Sequence, residues 1–195
     1  LGIHGAGGRG RRKDSVGGGK MDIIFLVGAR ACGKTTVGKA LAKKLKLPFA
    51  DTDQHLLDTA GRSVDQIVEA EGWAGFRQRE STALHQVTNA HAHGCVVSTG
   101  GGMVLAEANR TLMRQNGMVV FLDAPVEVLA ERLSRNPLNS QRPSLTGKGL
   151  VEEIADVLKE RRPLYEAAAH HIVDASRPLS SICRHIADLW KASAR

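Results

Sequence analysis

The chain has 195 residues, of which 42% are hydrophobic and 24% charged, and a formal net charge of +7. This is the composition of a globular protein of one domain, and no stretch approaches the roughly 18–20 apolar residues of a membrane span. Three scattered cysteines, Cys32, Cys95 and Cys183, exclude a disulfide framework and point to a reducing, cytoplasmic setting.

Residues 1–20, LGIHGAGGRGRRKDSVGGGK, hold five Lys/Arg and one Asp and so carry +4 of the net charge. Rich in Gly and without an apolar run, this leader reads as disordered. Met21 reads as a natural start, with the leader a cloning or translation artefact. A basic arm can bind nucleic acid, but the remaining +3 suits small anionic ligands better, and no nucleic-acid partner is expected.

DIIFLVG (22–28) predicts a short buried strand. It runs into GARACGKTT, where Gly28, Gly33, Lys34 and Thr35 fit the phosphate-binding pattern G-x-x-x-x-G-K-[ST]. Glycines let the backbone wrap with its N–H groups toward phosphate oxygens. The helix that follows adds the positive end of its dipole. Lys34 is expected on the β- and γ-phosphates of ATP and the Thr35 hydroxyl on Mg2+. The whole loop, Gly28, Ala29, Arg30, Ala31, Cys32, Gly33, Lys34, Thr35 and Thr36, is assigned to the nucleotide. Val37, Ala40, Leu41 and Leu45 then recur at helical spacing.

FADTDQH (49–55) opens as a second strand. If the strand persists, Asp51 and Asp53 share one face, and their repulsion calls for a neighbouring cation. With the phosphate loop nearby, one acid is expected at the water shell of Mg2+ and the other at an acceptor hydroxyl. The bland alternative is a helix N-cap and a surface acid. Ser63 and Gln66 have capping-box spacing and predict a helix start. In FRQRE, Arg77 and Glu80 stand three apart on a helix, so the acid can position the guanidinium, unless the pair is only a surface ion pair.

CVVS (95–98) predicts the third strand, and it leads into STGGG. Gly100, Gly101 and Gly102 suit a ligand pressed against the main chain, or else a flexible turn. MVVFLDA (118–124) and HHIVDA (170–175) are the fourth and fifth strands. LSRNPLNSQRPSLTGKG between them is a loop long enough for a mobile lid, about residues 134–148, with Arg142 able to reach the phosphates. In KERRPLY, Arg161 and Arg162 precede Pro163, which is expected to bend or end its helix. Guanidinium groups grip carboxylates bidentately, so a small hydroxy acid is a natural acceptor. Leu179, Ile182, Cys183, Ile186 and Leu189 stripe a final helix. Strands alternating with helices predict a three-layer α/β/α domain over residues 21–195, with a five-stranded parallel sheet.

In this order GARACGKTT, DTD, GWAGFRQRE, STGGG, QRPSLTG and RRPLY resemble the shikimate kinases across residues 21–192, most closely the type II form. The resemblance implies a P-loop nucleoside monophosphate kinase-like fold and ATP-dependent phosphorylation of the 3-hydroxyl of shikimate. It further implies Thr35 on Mg2+, Asp51 acting through water, and Asp53 on the acceptor hydroxyls. Arg77 and Arg161 would take the carboxylate, with Gly100, Gly101 and Gly102 beside the ring. Arg142 would be the lid arginine, and Arg132 with Arg177–Pro178 would wall the adenine. One departure is Ala31, where many members carry Gly; a methyl is costly there only if φ is positive.

His91, His93 and Cys95 alternate, yet lack a fourth ligand and are discounted as a metal site. Gluconate-type kinases are the nearest enzymatic alternative, and a regulatory nucleotide switch the non-enzymatic one. With no unassigned apolar stripe, a monomer is expected.

Overall fold

The computed structural model describes residues 23–135 and 149–193. The leader and most of the expected lid, Arg142 included, lie outside these residues. Within them the five apolar runs are strands: β1 Ile23–Val27, β2 Phe49–Asp51, β3 Cys95–Ser98, β4 Gly117–Asp123 and β5 His171–Asp174. The helices are α1 Lys34–Leu45, α2 Thr52–Ala60, α3 Val64–Ala90, α4 Glu107–Asn116, α5 Val126–Ser134, α6 Leu150–Ala168 and α7 Leu179–Ser193.

All four strand pairings are parallel, in the order β2-β3-β1-β4-β5. Helices cover both faces, so β1, β3 and nearly all of β4 are buried, as their unbroken apolar runs require. The three-layer reading therefore holds. The chain leaves β1 toward β2 on one side and later returns to β4 on the other. A crevice opens where this order reverses, at the carboxyl ends of the strands. Register aligns those ends, since Ser98 stands opposite both Leu26 and Asp51.

A second, smaller core of Leu56, Ile67, Phe76 and Ala83 joins α2 to α3 beside the main one. The capping box at Ser63 is present, with Gln66 N–H donating to Ser63 Oγ and Ser63 N–H to Gln66 Oε1. Helix α3 is broken at Gly72, whose φ of 68° is non-helical. Glu71 braces the break by accepting from Arg62 and Arg79. Those two guanidinium groups, Arg79 foremost, lower its pKa to about 2.

Two local expectations need correction. Of the bend or end expected at Pro163, the end does not occur, because α6 continues to Ala168. Burial of Leu158, Tyr165 and Ala168 on one side holds the helix together across the missing N–H. Nor do Asp51 and Asp53 share a strand face. Strand β2 stops at Asp51, whose Oδ1 accepts from the N–H groups of Asp53 and Gln54 and so caps α2. Asp53 thus belongs to the first helical turn.

Candidate active site

The phosphate loop joins β1 to α1. Gly28 has φ 145°, and a Cβ there would meet Leu122 O at 2.7 Å and Cys32 Sγ at 2.9 Å. Gly33 caps α1 at φ 101°, again a glycine conformation. Ala31 sits at φ 63°, so its methyl does occupy the left-handed region where it carries a strain cost. Lys34 Nζ arches back and donates to the carbonyls of Gly28 (2.9 Å) and Ala29 (2.8 Å).

At the start of α1, Thr35 Oγ1 donates to Asp51 Oδ2 at 2.9 Å and stands 3.4 Å from Ser98 Oγ. Asp51 is the helix cap that was weighed as the alternative, and its other oxygen is left facing Thr35. Two hydroxyls and one carboxylate oxygen form a hard donor set that fits Mg2+, which takes one or two carboxylates and keeps several waters. Ser98 opens STGGG, but nothing in that motif gave it a part at the metal. Its place follows from the register that brings three strand ends level.

These groups line a cavity of about 1100 Å³. Arg30, Ala31, Cys32, Gly33, Lys34, Thr35, Thr36, Asp51, Asp53, Arg132 and Arg177 all face it. Arg132 Nη1 donates to Cys32 O (3.2 Å) and Nη2 to Ala175 O (2.8 Å). It thereby ties the phosphate loop to the segment after β5, on the side expected for adenine.

A second cavity, about 120 Å³, lies between α3, α6 and the glycine turn. Of the residues expected around the acceptor, Arg77, Gly101, Gly102 and Arg161 line it, with Trp73, Phe76, Glu80 and Tyr165, whereas Asp53 lines the larger cavity and Gly100 neither. Arg77 is held on several sides. It pairs with Glu80, a carboxylate 3% exposed, and its guanidinium carbon lies 5.5 Å and 5.4 Å from the Trp73 and Phe76 ring centroids. This is more than a surface ion pair. Arg161 and Arg162 diverge: Arg161 Nη1 donates to Gly101 O, while Arg162 turns to Asp123 Oδ1 at 2.7 Å. Arg161 Nε is buried without a partner among the described residues, a cost to the fold that a well-placed acceptor would remove.

The two cavities meet. Arg30 and Gly101 line both. A Cβ on Gly100 would fall 2.5 Å from Asp53 Oδ1 and 2.7 Å from Glu80 Oε1, so the glycine turn is pressed between the two acids. The Thr52 hydroxyl, unremarked in the sequence, accepts from Gly100 N–H at 3.2 Å. Cys95, discounted as a metal ligand, is buried in β3.

The family model for shikimate kinase matches residues 30–191. The chain belongs to the shikimate kinase family. It is 51% identical over 171 residues to the shikimate kinase 2 of Pectobacterium carotovorum, covering 88% of this chain and 97% of that one. It superposes on a shikimate kinase from Acinetobacter baumannii in complex with shikimate with a TM-score of 0.81 at 34% identity, covering 89% and 95% of the two chains. A gluconokinase from Sinorhizobium meliloti is 21% identical with a TM-score of 0.55 over 90% and 94%, a likeness of fold only. The P-loop kinase architecture and the kinase assignment stand on these relationships, and the gluconate alternative has no comparable support.

Proposed function

We propose that this protein transfers the γ-phosphoryl group of ATP to the 3-hydroxyl of shikimate, giving shikimate 3-phosphate and ADP in the shikimate pathway. The observation that carries the reading is the junction of the two cavities at Arg30 and Gly101, one with phosphate-binding groups and the other with arginines. Such a pair of sites serves transfer between two bound reactants better than hydrolysis or a binding switch.

In the reaction the acceptor oxygen forms a bond to the γ-phosphorus while the bond to the β,γ-bridging oxygen breaks, and the hydroxyl proton leaves. Lys34 and the N–H groups of the loop neutralise charge on the transferring group. Arg77 and Arg161 hold the acceptor carboxylate, which fixes the ring and aims its hydroxyl. Asp53, in the first turn of α2 beside Gly100, orients that hydroxyl and takes its proton. Mg2+, when held by Thr35 directly and Asp51 through water, supplies charge neutralisation on the β- and γ-phosphates. Among the described residues no helix is long and apolar enough to cross a membrane, and we take the protein to act as a cytoplasmic monomer.

ADP release, coupled to a dehydrogenase, tests the reading with shikimate, gluconate and nucleoside monophosphates as acceptors. Rapid turnover with shikimate only is the expected result. Equal turnover with gluconate, or ADP release indifferent to any acceptor, would overturn it.

A further inference from the structure

Tyr165 is a member of RRPLY to which phosphate and carboxylate binding give no task, yet it reaches the glycine turn. Its hydroxyl donates to Gly101 O at 2.7 Å, the same carbonyl that accepts from Arg161 Nη1 at 3.3 Å. Residues 161 and 165 are one helical turn apart, so α6 presents both donors on one face, and a carbonyl has lone pairs for two. The ring is 1% exposed and stacks on Phe121 of β4, with centroids 5.0 Å apart and planes at 23°. The hydroxyl is therefore anchored to the central sheet, not to a mobile element.

Gly101 is also, with Arg30, one of the residues that line both cavities. Its Cβ position lies 3.6 Å from Gly28 O and 3.7 Å from Arg30 N, so the turn rests on the phosphate loop. Flanked by Gly100 and Gly102, this peptide has little stiffness of its own. Something outside the turn must orient it.

We propose that Tyr165 is a positioning residue for phosphoryl transfer: with Arg161 it grips the Gly101 carbonyl and holds the glycine turn, and hence the acceptor hydroxyl, in line with the γ-phosphate. The proposal rests on the transfer reading above. Burial pushes the Tyr165 phenol well above its ordinary pKa, so it remains a donor throughout the working range. Misplacement by about 1 Å can cost roughly a hundredfold in rate. A role in alignment therefore predicts loss of kcat more than of binding.

The test is Tyr165→Phe, which removes one hydroxyl and keeps the ring on Phe121. Shikimate-dependent ADP release by the wild-type protein is measured first, so failure of the transfer reading is separately visible. The expected result is kcat lower by about ten- to a hundredfold, shikimate KM changed less than threefold and ATP KM unchanged. Amide exchange over residues 98–103 should quicken in the variant while that of α6 does not. A kcat within twofold of wild type would show the hydroxyl to be merely structural. A loss confined to ATP KM, or unaltered exchange over 98–103, would equally overturn the proposal. Exchange is read on the folded fraction, so a lower melting temperature does not obscure it.

Discussion

Gly102→Ala isolates the placement of Arg77. Gly102 has φ −94° and ψ −2°, a backbone that alanine accepts without strain. The obstacle is entirely lateral: the new methyl would overlap Arg77 Nη1, lie 2.5 Å from its Cζ and 2.9 Å from its Nη2. The guanidinium must then leave its seat between Trp73, Phe76 and Glu80. Stranding a buried carboxylate completely costs about 3–5 kcal/mol. Arg77 is 27% exposed and can keep part of the contact from a new rotamer, which reduces the expected destabilisation to about 1–2 kcal/mol. On the acceptor side, loss of a charge-assisted hydrogen bond costs about 1.5–3 kcal/mol. At about 1.4 kcal/mol per tenfold, shikimate KM should rise roughly 10- to 100-fold. The assay is coupled ADP release with shikimate titrated at saturating ATP, and ATP KM should not move. In an Arg77→Ala background the same methyl should have little further effect, because the group it displaces is gone. An unchanged shikimate KM in Gly102→Ala would refute the assignment of Arg77 to the acceptor carboxylate.

Lys34→Met should lower kcat by at least about a hundredfold, since a preorganised cation at the γ-phosphate is lost; steady-state kinetics within tenfold of wild type would contradict its role. Ala31→Gly relieves about 1–2 kcal/mol of left-handed strain at φ 63° and loses about 0.4–1 kcal/mol through the freer unfolded chain. Calorimetry should therefore show a small net stabilisation, and a lower melting temperature would count against the strain. Asp51→Ala should raise the Mg2+ concentration needed for half-maximal rate and remove a helix cap worth about 1 kcal/mol, read by metal titration and by denaturant midpoint. Burial foremost, then Arg114 and His171, hold the His170 pKa below the ordinary value, and its Nδ1 must be unprotonated to accept from Val119 N–H at 3.0 Å. Because the folded pKa is depressed, this stabilisation is present above about pH 6.5 and lost as pH falls through the folded value. Stability measured between pH 7.5 and 5 should fall more steeply in wild type than in His170→Asn, and equal slopes would exclude the effect.

Much of this protein was legible before any coordinate. Apolar runs of the right length marked the central strands β1, β3 and β4, because strands covered on both faces must be apolar throughout, while the outer β2 and β5 are short and partly exposed. The phosphate loop declared itself through its glycines and Lys34, since that chemistry needs consecutive residues at fixed spacing. Arg77 with Glu80, and the capping box at Ser63, were readable for the same reason: their partners lie within one helical turn. DTD was read less well. Period-two alternation across Asp51 and Asp53 assumed a strand that in fact ends at Asp51, where the first turn of α2 offers N–H groups to be capped.

What one turn of chain can hold together, the amino-acid order determined unaided: strands, caps and the loop for phosphates. What depends on strands far apart in sequence, only the tertiary structure decided. Parallel register brings Ser98 level with Asp51 and beside Thr35, the packing of α6 on β4 sends Arg161 to the cavity and Arg162 away from it, and the glycine turn after β3 comes to rest on the loop after β1. These are contacts across dozens of residues, set by how helices and sheet fill space, and no local pattern encodes them.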